Sequence, residues 1–260
     1  MADKNINLNL EIQPDLIEKK IIKFIQEQTK NVSGAVVGLS GGIDSAVCAH
    51  LCTKALGNKK TFGLILPSAT TQAEDIDDAI KTADALDIKY SIVEIDDISR
   101  EIKKKGFSDD KVGMGNISAR IRMILLRDFA HKNNLIVCGT GNKSELDIGY
   151  FTKNGDGGVD ILPIGDLYKT QVRTLAKHLG VIDRIIEKPP SANLWEKQTD
   201  EEEMGITYEL LDKILYCMEN KMSKKEISEN LCIEQKTIEN IEDKMKKNAH
   251  KINPIPVLKI

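Results

Sequence analysis

Apolar positions recur at helical spacing near the start of the chain, where Ile17, Ile21, Phe24 and Ile25 share one face of the stretch 15–29. Pro14 stands just ahead, where a helix start tolerates a missing N–H. Four short apolar runs follow: AVVGL at 35–39, TFGLIL at 61–66, YSIVEI at 90–95 and LIVCG at 135–139. They lie too far apart for hairpins, and the segments between them carry the longer helical period, as in TQAEDIDDAIKTADAL at 71–86. This alternation predicts strands joined by helices in a parallel sheet, an α/β fold of the doubly wound, Rossmann-like kind. Right-handed crossovers then bring the C-terminal ends of the strands, and the loops that leave them, to one edge.

The helix ahead of the fourth run, NISARIRMILLRDFAHK at 116–132, carries an apolar stripe of Ile117, Ile121, Ile124, Leu125 and Phe129. Asn116, Arg120, Met123 and Arg127 recur beside it on a second face. Arg120 sits in the first turn, against the preference of the helix dipole, which a bound anion would explain. Arg127 reads equally well as part of a solvated face. From about residue 200 the chain turns acidic and then helical. Within it, SKKEISENLCIEQKTIENIEDKM has a capping box at Ser223 and Glu226 and the outline of a helix-turn-helix. Lysines and acids balance between 223 and 247, six of each, and Glu239, Glu242 and Asp243 on the second helix would meet DNA phosphates. The pair therefore reads as packing helices, with no nucleic-acid partner. Two polar segments, 101–115 and 188–203, read as flaps over a site, the second holding the single tryptophan, Trp195. The expected organisation is one domain over 1–260: an N-terminal helix at 1–30, an α/β nucleotide-binding core at 31–185, and a flap with C-terminal helices at 186–260.

Composition narrows the class. With 41% hydrophobic and 30% charged residues and no apolar run near the ~20 residues a membrane helix needs, the chain reads as soluble, with no membrane partner. The N-terminus lacks the basic-then-apolar order of a signal peptide, so a cytoplasmic protein is expected. Cys48, Cys52, Cys138, Cys217 and Cys232 form no C-x-x-C pair and read as reduced thiols. The four histidines are scattered, which disfavours a histidine metal site.

The chemistry begins at GLSGGIDS, 38–45, between the first strand and the following helix. Bare N–H groups of a glycine turn and a helix start suit a phosphate. No Gly-Lys-Ser/Thr closes the loop, so it is not the common P-loop, and Asp44 would repel a polyphosphate unless a divalent cation lay between them. GTGNKSE, 139–145, leaves the fourth strand at the same edge, so both loops should face one crevice. Further on, KNGDGG carries Lys153 and Asp156, and Asp160 opens the run ILPI. By turn chemistry alone that segment reads as a plain turn.

Taken together, these segments carry a resemblance. SGGIDS after a strand resembles the pyrophosphate-binding loop of the ATP pyrophosphatase superfamily, a loop shared by GMP synthetases, asparagine synthetases and tRNA-thiolating enzymes. NISARIRM, GTGNKSE, GYFTKNGDGGVDILPIGDLYKTQV, KPPSANLWEKQTDE and the late HK followed by Pro are similar to the ammonia-dependent NAD synthetase family over most of the chain. A thiolase would need a reactive cysteine near the site, and Cys48 and Cys52 read as core. The resemblance implies an adenine-nucleotide hydrolase-like fold, a homodimer, and conversion of deamido-NAD, ATP and ammonia to NAD, AMP and pyrophosphate. It implies that Gly38, Leu39, Ser40, Gly41, Gly42, Ile43, Asp44 and Ser45 hold the ATP phosphates, with Asp44 and Glu145 as Mg²⁺ ligands. Thr140, Lys169 and Ser191 match ATP contacts, and Arg120, Lys153, Asp160, His250 and Lys251 match contacts to deamido-NAD. Ser191 keeps the hydroxyl of a position that can hold threonine, and Asn154 stands where an aromatic is common. Lys169 would stabilise charge on the phosphates, and Asp156 would bind ammonium and take its proton. The chain starts almost directly with the synthetase portion, so free ammonia is the expected nitrogen source.

Overall fold

The computed structural model describes residues 8, 10–106, 108, 110–191, 195 and 198–259. The apolar runs form one parallel sheet of β1 (Gly34–Gly38), β2 (Thr61–Ile65), β3 (Lys89–Ile92) and β4 (Leu135–Cys138), in the order β3-β2-β1-β4. In register, Ala35 lies beside Thr61 on one side and Ile136 on the other. The chain builds outward from β1 to β3 and then returns to place β4 on the opposite side of β1. The crevice of such a sheet opens where the order reverses, between β1 and β4.

Alternation along β1 sends its side chains to two different cores. Ala35 and Val37 face a layer made by α1 (Pro14–Gln28), α2 (Ile43–Leu56) and α7 (Lys169–Leu179), with Ile25, Leu51 and Leu175 fully buried. Val36 faces the other side, where Ile121 of α5 (Lys111–Asn133) packs with Leu64 and Val137. Ten of the fourteen residues of α2 are buried, which fits a helix enclosed by the sheet, α1 and α7. A third cluster lies under the C-terminal helices: α9 (Asp200–Met204), α10 (Tyr208–Glu219), α11 (Lys224–Leu231) and α12 (Gln235–Ile252). Its centre is Tyr208, Leu211, Ile214, Ile227 and Ile238. The remaining helices are α3 (Ala73–Ala85), α4 (Asp96–Lys105), α6 (Lys143–Ile148) and α8 (Asp183–Glu187).

Of the segment 101–115, expected as a flap, 101–105 end α4 and 111–115 begin α5, while 107 and 109 lie outside the described residues. The Asp110 carboxylate caps α5 by accepting from Gly113 N–H at 2.9 Å. Its lysines belong to an amphipathic helix, and polarity alone did not separate that from a loop. Ile124, expected in the buried stripe of α5, is 57% exposed. Of the second expected flap, 192–194 and 196–197 lie outside the described residues, and its end forms α9. The capping box of Ser223 and Glu226 is present, and the helices it opens are packed into the third cluster.

Candidate active site

The turn from β1 to α2 is shaped by one glycine and two serines. Gly41 has φ of 78°, and a Cβ there would lie 2.2 Å from the carbonyl oxygen of Asp75, so only glycine lets α3 approach this closely. The Ser45 hydroxyl accepts from Ser40 N–H at 3.2 Å and donates to Gly42 O at 2.9 Å, winding the loop around itself. The first N–H groups of α2 have no acceptor within the helix. They begin at the wall of a cavity of about 670 Å³.

The second loop is locked to the first. Asn142 caps α6, accepting from Glu145 N–H at 3.1 Å, while the Glu145 carboxylate accepts from Asn142 N–H at 3.3 Å. The remaining Asn142 amide donates to Asp44 at 3.2 Å. Lys169, the first residue of α7 and 2% exposed, places its ammonium 2.5 Å from Asp44 and 3.4 Å from Glu145. The Tyr208 ring lies 5.0 Å beneath that ammonium, and its hydroxyl donates to Glu145 at 3.3 Å and to Asp200 at 3.2 Å. Tyr150 donates to Asp200 and to Glu203 as well.

One cation among these carboxylates cannot neutralise them all. Burial pushes the Glu145 carboxyl up to about 8, although Lys169 pulls the other way. Burial disfavours the Lys169 charge, but Asp44 and then Glu145 more than offset that and hold the ammonium above the usual lysine range. The ion pair therefore belongs to Asp44 and Lys169, and Glu145 is the carboxylate driven toward its neutral form. Asp44 and Glu145 also fit a hard divalent cation such as Mg²⁺, which takes oxygen ligands and is commonly held by one or two carboxylates plus substrate phosphates. No cluster of three or more metal-ligating side chains occurs among the described residues, so phosphate oxygens would have to complete the shell.

The far end of the cavity is a compact turn at 152–158. Asp156 accepts from Thr152 N–H at 2.9 Å, and the Thr152 hydroxyl bonds Asn116 of α5 at 2.7 Å. Asp156 remains open to solvent through the cavity, yet the protein walls around it raise its carboxyl above the usual range, against the pull of the Thr152 N–H. Lys251 of α12 donates to Gly149 O at 2.6 Å and Phe151 O at 2.7 Å. Burial lowers its pKa.

The cavity thus gathers Gly38, Leu39, Ser40, Gly42, Ile43, Asp44, Ser45, Thr140, Glu145, Asp156, Lys169, Ser191 and Lys251. Gly41 is turned to α3 instead. Arg120, Lys153, Asp160 and His250 lie beyond the lining, and three of them are tethered: Arg120 donates to Lys153 O at 3.4 Å and Lys153 donates to His250 O at 2.5 Å. Asp160 pairs with Arg127 and accepts from Val137 N–H at 2.7 Å, so both its oxygens are engaged. Sequence reasoning passed over Arg122, which lines the cavity and donates to Leu66 O at 2.9 Å. Its signal was present in NISARIRM, two residues after Arg120. Asp200 and Tyr208 had no local signal, since only the docking of α9 and α10 brings them to the site.

A family model described as NAD synthase matches residues 17–255 of the chain. The chain is similar to the NH₃-dependent NAD⁺ synthetase of Methanocaldococcus jannaschii, at 51% identity over 241 residues, which is 90% of this chain and 93% of that one. Among solved structures it is similar to the NMN synthetase of Francisella tularensis, with TM-score 0.86 and 36% identity over 96% of this chain and 100% of that one. It is likewise similar to the NH₃-dependent NAD synthetase of Campylobacter jejuni, solved with nitrate ion, with TM-score 0.82 and 34% identity over 95% of this chain and 100% of that one.

Proposed function

The chain belongs to the NAD synthase family, and on that premise we propose that its cavity makes NAD from deamido-NAD, ATP and ammonia through an acyl-adenylate. The observation that carries the reading is the junction of Asp44, Glu145 and Lys169 beside the first turn of α2. In the first step a nicotinate carboxylate oxygen attacks the α-phosphorus of ATP. The bond from that phosphorus to the bridging oxygen breaks, and pyrophosphate leaves with the electron pair. The loop 38–45 cradles the departing phosphates, and Lys169 meets their growing charge. Mg²⁺ held by Asp44 and Glu145 would supply neutralisation of that charge when bound. Thr140 and Ser191 line the same cavity and are assigned to ATP.

In the second step the nitrogen lone pair of ammonia attacks the acyl carbon, the bond to AMP breaks, and one nitrogen proton must leave. Asp156 is assigned to bind ammonium and accept that proton. Its raised pKa suits a base, since proton affinity grows with pKa. Arg120, Lys153, Asp160, His250 and Lys251 are assigned to deamido-NAD. Water that reached the adenylate would hydrolyse it, so enclosure of the cavity serves the amide.

The reading extends to a homodimer. Ile124 of α5 is 57% exposed on the helix that carries Arg120, an apolar side chain that a second copy would cover. Light scattering tests it. A cytoplasmic setting agrees with five free thiols. No helix among the described residues is long and apolar enough to cross a membrane.

A second reading, amidation of nicotinate mononucleotide, is favoured by the likeness to the Francisella NMN synthetase. One assay separates the two: pyrophosphate release with ATP, Mg²⁺ and ammonium, comparing deamido-NAD with nicotinate mononucleotide. A higher kcat/KM for deamido-NAD, with NAD formed, supports the first. A higher value for the mononucleotide moves the assignment, and no release with either overturns both.

A further inference from the structure

Asp212 lies on α10, does not line the cavity, and is 0% exposed. A carboxylate taken fully out of water is unfavourable unless its oxygens are met. Here they are met by neutral donors: the Ser144 hydroxyl at 2.5 Å and Thr170 N–H at 2.9 Å. The Ser144 hydroxyl oxygen in turn accepts from Lys169 N–H at 2.9 Å. One buried carboxylate therefore grips the start of α6 and the start of α7 together.

The residues at those two starts matter more than the helices. Ser144 is followed by Glu145, and the gripped N–H of Lys169 belongs to the residue whose ammonium sits between Asp44 and Glu145. Burial raises the Asp212 carboxyl, and the Ser144 and Thr170 bonds oppose that rise. On α10 itself Tyr208 touches side-chain tips of the site, whereas Asp212 fixes the backbone N–H of Thr170 and, through Ser144, that of Lys169.

We infer that Asp212 is a positioning residue for adenylation, holding Glu145 and Lys169 in register with Asp44 through Ser144 and the N–H groups that open α7. The inference rests on the proposed reaction. It predicts that loosening this grip slows attack on ATP while the assigned deamido-NAD contacts, Arg120, Lys153, Asp160, His250 and Lys251, are left intact.

The test is deamido-NAD-dependent exchange of labelled pyrophosphate into ATP, with deamido-NAD affinity measured separately by calorimetry. Asp212→Asn keeps the shape but offers one acceptor oxygen, and sets an NH₂ group against a donor. Its exchange rate is expected to fall roughly 10–100-fold, the usual range for a partner behind a metal ligand, with deamido-NAD affinity unchanged. Ser144→Ala removes the bridging hydroxyl and is expected to act in the same direction, and it decides the matter if Asp212→Asn does not fold. Ile214→Val loosens the same helix without touching the carboxylate, and is expected to lower the Tm but keep the exchange rate. Wild-type exchange in a folded Asp212→Asn or Ser144→Ala protein overturns the inference, as does an equal loss in Ile214→Val. Absence of exchange in the wild-type protein overturns the proposed reaction instead.

Discussion

Replacing Lys169 with methionine tests the electrostatics of the site most directly. The ammonium is 2% exposed, with Asp44 at 2.5 Å and Glu145 at 3.4 Å, and those carboxylates are themselves only 17% and 16% exposed. Methionine keeps most of the volume against Tyr208 but removes the one positive charge that pairs with these carboxylates among the described residues. Breaking a buried ion pair from one side costs about 3–5 kcal/mol, because the remaining charge stays buried and unpaired. For a chain of this size each kcal/mol moves Tm by roughly 2–4 °C, so metal-free Lys169→Met should melt about 6–20 °C below wild type. A divalent cation can then replace the missing charge, and at 100 times its Kd it returns about 2.7 kcal/mol. The assay is thermal unfolding without nucleotide, with and without MgCl₂. Wild type should respond weakly, since its own ammonium already neutralises Asp44, and the variant should respond strongly. Equal melting of the two proteins without metal, or equal Mg²⁺ shifts, would refute the argument that Lys169 neutralises this pair.

Asp44→Asn should abolish pyrophosphate release, because the proposed metal loses a ligand and Lys169 loses its nearer partner; near wild-type turnover at ordinary Mg²⁺ would remove Asp44 from that role. Asp156→Ala should slow amide formation more than adenylation in single-turnover measurements, and equal loss in both steps would leave Asp156 as a turn residue. Arg120→Ala should raise the KM for deamido-NAD far more than that for ATP, and the reverse pattern would move Arg120 to the nucleotide. Glu145, pushed up to about 8 from its ordinary value of 4.5, binds a proton more tightly in the folded state than in the unfolded one. Its contribution is thus fully present below pH 4.5 and lost as pH rises through about 8, so the ligand-free protein should melt lower at pH 9 than at pH 6. Glu145→Gln should flatten that slope, and an unchanged slope would assign it elsewhere.

The sheet and the phosphate loop were legible because their signals are local. β1 carries four consecutive buried residues, Gly34, Ala35, Val36 and Val37, and a glycine turn follows within four positions. The lysines of 101–105 were less legible, since a basic amphipathic helix and a polar flap share a composition. Ile124 fits the apolar period of α5 yet is exposed, which periodicity cannot foresee when a helix is apolar on more than one side. The grip of Asp212 on Ser144 spans 68 residues, and that of Tyr208 on Glu145 spans 63. No window of sequence contains both partners, so these contacts exist only once α10 has docked.

That distance changes how the C-terminal helices should be understood. Their charge balance and their buried isoleucines made them packing elements, and packing is how they reach the chemistry. In the first turn of α6, α10 supplies Tyr208 to Glu145, and at the end of α6 and just beyond, α12 supplies Asn248 to Ile148 O at 2.9 Å and Lys251 to the carbonyls of Gly149 and Phe151. Gly149, at φ of 66°, leaves room for that docking, since a Cβ there would lie 2.3 Å from the Asn248 Cβ. The two helices therefore act on opposite ends of α6. Loosening α10 should appear in the ATP step, whereas loosening α12, as in Gly149→Ala, should appear in the affinity for deamido-NAD. A Gly149→Ala protein with weakened adenylation and unchanged deamido-NAD affinity would show that the two ends are not separately held.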